Sequence, residues 1–89
     1  MRSRTTAQFR SLRAALPEPV QEKAVAAYKL WSANPKHPSL RFKKIHKTLP
    51  IYSVRIDLTW RAVGVLKEDT VVWFWVGTHE KYEALLKRL

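Results

Sequence analysis

Cysteine is absent from these 89 residues, which removes disulfides, thiolate nucleophiles and cysteine-built zinc sites. Glycine is nearly absent, since only Gly64 and Gly77 occur, and two isolated glycines build no phosphate-cradling loop. No apolar run approaches the ~18 residues of a bilayer span. The opening Met1-Arg2-Ser3-Arg4-Thr5-Thr6 lacks the apolar core of a signal peptide, so a cytoplasmic location without a membrane partner is expected. Acids are scarce as well, and the seven Asp and Glu residues are scattered, against both a metal-dependent nuclease and a glycosidase pair. His37, His46 and His79 show no metal-ligand spacing. Any cleavage by this chain is expected to need neither metal nor cofactor.

What is present is positive charge. Lys and Arg number 17, for a net charge of +10, which favours a polyanionic partner such as nucleic acid or an acidic protein. Hydrophobic residues make up 46% and charged residues 27%, ordinary values for a folded protein. The length suits one domain over residues 1–89 with a single core.

Two helices are expected first. Thr5 and Gln8 fit a capping box, and Phe9, Leu12 and Leu16 recur at helical spacing, so the first helix covers about Thr6 to Ala15. Pro17-Glu18-Pro19 stops it. Pro19 at a first helical position then opens a second helix with a stripe of Val20, Ala24, Ala27, Tyr28 and Trp31, closed by Asn34-Pro35. Arg2 to Arg4 reads either as a short edge strand or as an arm. Beyond Pro38, β-branched and aromatic residues mark strands at Leu40 to Ile45, Tyr52 to Leu58, Trp60 to Leu66 and Val71 to Val76, separated by short turns. The last strand is apolar on both faces, as suits a central strand covered from two sides, and an acidic partner protein is one candidate for the second cover. The strand should break at Gly77, and His79 to Leu89 follows as a helix with Tyr82, Leu85, Leu86 and Leu89 on one side. The expected fold class is α+β: an N-terminal helical hairpin packed on a mainly antiparallel four-stranded sheet, with a short C-terminal helix.

Three groups carry candidate chemistry. Arg41-Phe42-Lys43-Lys44-Ile45-His46-Lys47 reads either as an edge strand guarded by its lysines or as a phosphate-contacting segment. Arg55 and Arg61 face each other across a short turn, and two guanidinium groups side by side repel unless an anion lies between them or carboxylates such as Asp57 pair with them. His79 stands at a helix N-terminus, which disfavours imidazolium and leaves the ring ready to accept a proton. Free N–H groups after Gly77 offer a phosphate site. Tyr82, three residues on, reads as a core aromatic, a stacking platform or a proton donor.

The order of two helices, a basic strand, Tyr52-Ser53-Val54-Arg55-Ile56, Trp60-Arg61-Ala62 and an apolar strand ending Val76-Gly77-Thr78-His79 resembles the RelE/ParE superfamily of bacterial type II toxin–antitoxin toxins. It does so from about Thr5 to the C-terminus. The Gly-Thr-His ending looks like the branch of ribosome-dependent mRNA endonucleases. That resemblance implies a general base or acid at His79, a scissile-phosphate cation at Arg61 and a second cation at Arg55. With that function, the basic segment is read from its own residues as RNA contacts from Arg41, Lys43, Lys44, His46 and Lys47, with Lys43, Lys44 or His46 as a second proton-transfer group and Tyr82 stacking or supporting. No Glu matches the catalytic one that some members use. The implied partners are mRNA on the ribosome and an acidic antitoxin encoded nearby. The superfamily also holds gyrase inhibitors without nuclease activity, so DNA gyrase is the alternative target, and an inactive RNA-binding member is a third reading.

Overall fold

A computed structural model describes residues 1–89. The elements run β1 (Arg2–Thr5), α1 (Ala7–Ala14), α2 (Glu18–Ala33), a 3-10 turn (Pro38–Leu40), β2 (Lys43–Lys44), β3 (Ile51–Arg55), β4 (Trp60–Lys67), β5 (Thr70–Thr78) and α3 (His79–Arg88). The sheet order is β1-β5-β4-β3-β2, with β1 parallel to β5 and every other pair antiparallel. The α+β class is as expected, but the sheet has five strands rather than four. The fifth is the N-terminal segment, where Arg2 to Thr5 pair with Thr70 to Trp73. A polar Arg-Ser-Arg-Thr run carries no apolar alternation to announce a strand, so only the edge it pairs with reveals it.

Local chemistry accounts for most boundaries and corrects several. The cap of α1 is Thr6, not Thr5, and its hydroxyl accepts from the Phe9 N–H at 3.0 Å. Helix α2 starts at Glu18, one residue ahead of Pro19. The expected strand from Leu40 to Ile45 shrinks to Lys43–Lys44, because Pro38–Leu40 forms the 3-10 turn and Arg41 takes a left-handed φ of 46°. Strand β5 does not break at Gly77 but runs through it to Thr78. Glycine is needed there for room: a Cβ would stand 2.6 Å from Cζ2 of Trp75, whose indole lies over the backbone.

The sheet has two differently covered faces. On the first, α1 and α2 close over Val54, Ala62, Val71, Trp73 and Val76. Trp31 anchors this side at 1% exposure, edge-on to Phe42 at 5.7 Å and to Trp73 at 5.5 Å, the geometry that aromatic quadrupoles prefer. On the second face Ile51, Val63 and Tyr82 form a smaller core, flanked by Phe74, Trp75, Leu85 and Leu86. The chain's own α3 is thus the cover of the second face, so that part of the apolar surface of β5 needs no partner protein.

Gly64 sits where the register between β4 and β5 shifts. An added Cβ would lie 2.7 Å from Val71 Cγ1 and 3.0 Å from the Val72 carbonyl oxygen, and a backbone atom in a sheet cannot step aside. Gly64→Ala should therefore destabilise the fold by about 1–3 kcal/mol, the usual cost of overpacking, read as a lower urea midpoint with an unchanged slope.

Candidate active site on the α3 face of the sheet

Alternation along β3 and β4 decides which side chains meet. Ile56 N–H donates to the Trp60 carbonyl and Leu66 N–H to that of Pro50, so even-numbered residues of β3 bond to β4 and odd-numbered ones do not. Arg55 and Arg61, paired in register, therefore form a non-hydrogen-bonded pair, the arrangement in which Cα atoms approach to about 4.5 Å and side chains are closest. Ser53 and Val63 are the next pair toward the sheet centre, and both meet α3: Val63 packs with Tyr82, and the Tyr82 hydroxyl donates to Ser53 Oγ at 3.2 Å. Arg55 and Arg61 thus share the face that α3 covers.

Burial pulls the Arg61 guanidinium below its ordinary value, and the charges of Arg55 and Arg41 pull the same way, against the phenol of Tyr82 and the carboxylate of Asp57. Like charges directly opposite one another in a sheet are unfavourable. Nη1 of Arg61 is anchored by the carbonyls of Asp57 and Trp60, which fixes the fork while its remaining N–H groups take no protein acceptor. No carboxylate pairs with Arg55 or Arg61. The Asp57 carboxylate, the nearest candidate from the sequence, is spent on the turn: it accepts from the N–H groups of Thr59 at 2.8 Å and Trp60 at 2.9 Å, and from Lys23 Nζ at 3.2 Å.

Desolvation pushes the Asp57 carboxyl up, but those N–H donors and Lys23 outweigh it and leave it below its ordinary value. A depressed carboxylate contributes stability above its unfolded pKa of about 3.9 and loses it as pH falls through the folded value. Asp57→Ala should cost about 1–2 kcal/mol at neutral pH, from two unmet turn N–H groups. It should also flatten the decline in stability of the parent below about pH 4, measured by urea unfolding at several pH values.

His79 enters the same face from the start of α3. Thr78 caps the helix through Oγ1 to the Lys81 N–H at 3.3 Å, and the His79 N–H is taken by the Thr59 carbonyl at 2.6 Å. Those two N–H groups are therefore not available to a phosphate. The His79 ring lies 6.0 Å from that of Tyr82, and its Nε2 is 3.3 Å from Glu83 Oε1. Both side chains are about half exposed, so Glu83 lies beside the ring as a solvent-screened neighbour and fixes the proton on neither nitrogen. Glu83 was not singled out from the sequence, although its i+4 spacing from His79 is a signal that helical geometry supplies. Tyr82 is 6% exposed with its hydroxyl on Ser53, so it supports the site and its proton is committed.

The basic segment from Arg41 to Lys47 does not act as one unit. Lys43 pairs with Ser53 and shares the α3 face, whereas Lys44 pairs with Tyr52 and points to the other side. Lys47 is an exposed residue of the following turn. His46 is tied down: its Nδ1 accepts from the N–H groups of Thr48 and Leu49, and its Nε2 lies 3.2 Å from a carboxylate oxygen of Leu89. The ring thus holds the turn at one nitrogen and the C-terminus at the other. No three His, Asp or Glu side chains converge to hold a metal, and no helix is long and apolar enough to cross a membrane.

The same architecture recurs in solved structures of low sequence identity. The chain superimposes on YafQ from E. coli with a TM-score of 0.72 and 12% identity, covering 92% of this chain and 98% of that one. A RelB–RelE antitoxin–toxin complex from Methanococcus jannaschii matches with a TM-score of 0.72 and 14% identity over 92% and 96% of the two chains. The toxin–antitoxin complex RelBE2 from Mycobacterium tuberculosis matches with a TM-score of 0.70 and 22% identity over 88% and 96%. No curated protein sequence matches significantly. The family model of the ParE-like toxin domain matches residues 18–84, three quarters of the chain, from α2 through Ala84 in α3. With sequence pattern, fold and family model in agreement, the chain belongs to the ParE-like toxin domain family, within the RelE/ParE superfamily of toxin–antitoxin toxins.

Proposed function

We propose that this protein is the toxin of a type II toxin–antitoxin system and that it cleaves mRNA on the ribosome without a metal ion. The observation that carries the reading is the Arg55–Arg61 pair on the same face as His79, with no carboxylate within ion-pairing distance of either guanidinium. An anion is missing from that face electrostatically, and a phosphodiester supplies it with the bidentate geometry that guanidinium groups favour. In the reaction the His79 imidazole takes the proton of a 2′-hydroxyl, whose oxygen attacks the adjacent phosphorus. The bond to the 5′ oxygen then breaks, and that oxygen is protonated by water or by the Lys43 ammonium. Arg61 and Arg55 stabilise the charge that builds on the pentacoordinate phosphorus, Glu83 orients His79, and Tyr82 with Ser53 holds α3 on the sheet.

The protein partner in this reading is an acidic antitoxin encoded nearby. Supporting it are the charge of +10, the antitoxin complexes among the structural neighbours, and a groove of about 280 Å³ between the helical hairpin and the sheet, where Phe9, Val25 and Tyr28 lie beside Arg10 and Arg13. Val25 and Tyr28 are 40% and 49% exposed, an apolar strip rimmed by cations that suits an acidic amphipathic segment. Cell-free translation with mapping of mRNA ends, run beside a gyrase supercoiling assay, tests the function. New mRNA ends that require translation support it. Loss of supercoiling with intact mRNA replaces it with the gyrase-inhibitor reading, and binding of RNA without new ends leaves an inactive RNA-binding member.

A further inference from the structure

Tyr82 reads from the sequence as a stacking platform, yet in the fold it is 6% exposed. Its two aromatic neighbours are His79 and Trp75, with ring centroids at 6.0 and 6.5 Å. Trp75 packs on the core of Ile51, Val63 and Tyr82 but is half-buried rather than sealed. Its indole N–H meets no protein acceptor and is open to solvent, since the only buried side-chain nitrogen or oxygen left without a partner belongs to Trp31.

The place of that indole follows from the sheet register. Arg55 stands opposite Arg61 on β4, and Arg61 stands opposite Gly77 on β5, so these residues form one row across the α3 face. Neighbouring strands lie about 4.8 Å apart. Gly77 has no side chain to fill its place in the row, and the six-membered ring of Trp75 does so instead: a Cβ on Gly77 would stand 2.6 Å from Cζ2 and 2.8 Å from Cη2. A glycine inside a strand weakens the strand, and here it lets a flat ring lie against the backbone one strand away from Arg61. The row thus runs cation, cation, aromatic ring. Those are the components of a single-strand site, in which cations hold phosphates and rings carry bases.

We infer that Trp75 is the base-stacking residue of the candidate site: its indole takes the base of a nucleotide next to the phosphate held by Arg55 and Arg61. The inference rests on the RNA-cleaving reading and adds a base contact to it. Such a contact carries little sequence information, because every base has a π-face. Its work is to set the position of the strand on the arginine pair.

The test uses the full chain and two probes of about five nucleotides, within the span of a single-strand site. One is 2′-O-methyl oligoadenylate, which cannot be cleaved because the nucleophile is blocked, and the other is an abasic strand of the same length and charge. Parent protein should bind the oligoadenylate about 5- to 150-fold more tightly than the abasic strand, the range that one base stacked on an aromatic ring supports. Trp75→Leu should lose most of that preference and bind the abasic strand as the parent does, because the phosphate contacts remain. Trp75→Phe should keep part of the preference and lose the quenching of indole fluorescence that oligoadenylate causes in the parent. A parent without the preference, a folded Trp75→Leu protein that retains it, or equal weakening of both strands by that variant overturns the stack and leaves the RNA reading standing. If Trp75→Leu does not fold, the phenylalanine variant decides: undiminished quenching there means that another indole reports the base, which overturns the assignment. Parent protein that binds neither strand overturns the stack and the RNA-cleaving reading together.

Discussion

His79→Ala is expected to lower the rate of mRNA cleavage about 10²–10⁴-fold, the usual contribution of a positioned general base, and to leave the fold intact. The side chain is 47% exposed and its one polar partner is Glu83, whereas the backbone bond from His79 to Thr59 and the cap at Thr78 survive truncation. Appearance of new mRNA ends in a translating extract is the readout, with a circular dichroism melt as the control for folding. Undiminished cleavage by a folded His79→Ala protein would remove the proton-transfer role. Glu83→Gln sharpens the assignment, because it removes the charge beside Nε2 and leaves the imidazole itself intact. A smaller loss of rate, with a displaced pH profile, is expected of a positioning residue.

Arg61→Ala should cost about 10²–10³ in rate, comparable to deleting one preorganised charge donor from an oxyanion-type site. Three features of its setting make the loss large: partial burial, the opposed charge of Arg55, and a fork held by the Asp57 and Trp60 carbonyls. The first two make an anion strongly welcome and the third spares the entropy of arranging the donor. Arg61→Lys should recover only part of the rate, since an ammonium cannot hold those carbonyls and grip two phosphate oxygens at once. A lysine variant with full activity would show that charge alone suffices. Arg61→Ala is also the variant that separates the two targets. A gyrase inhibitor has no scissile phosphate for this pair to serve, so its effect on supercoiling should survive the substitution.

Much of this arrangement was legible before the fold. Helical spacing in α2 and α3 and β-branched runs in β3 to β5 are periodic signals, and they located those elements to within a few residues. The motif order from Tyr52 to His79 led to the superfamily, which the family model over residues 18–84 bears out. The errors and the open choices fall where no periodic signal exists. Strand β1, one of the two readings of Arg2 to Arg4, is polar and depends for its existence on the edge of β5. The segment from Leu40 to Ile45 has strand composition, but the turn at Pro38 and the left-handed Arg41 leave only two residues to pair. Gly77 reads as a breaker in sequence, while in the sheet it makes room for Trp75.

The residue types settle that a small basic α+β domain forms, that His79 sits at a strand-to-helix junction and that Arg55 and Arg61 flank one turn, because periodicity and turn chemistry are local. Convergence is not local. Only the register of β3 on β4 and the docking of α3 through Tyr82 put the two guanidinium groups and His79 on one face. The same packing withdraws His46 into a turn, commits the hydroxyl of Tyr82 to Ser53 and supplies Glu83 to the imidazole. Which side chains are free to act depends on which hydrogen-bonding groups the fold has already used, and that is decided by contacts between residues far apart in the chain.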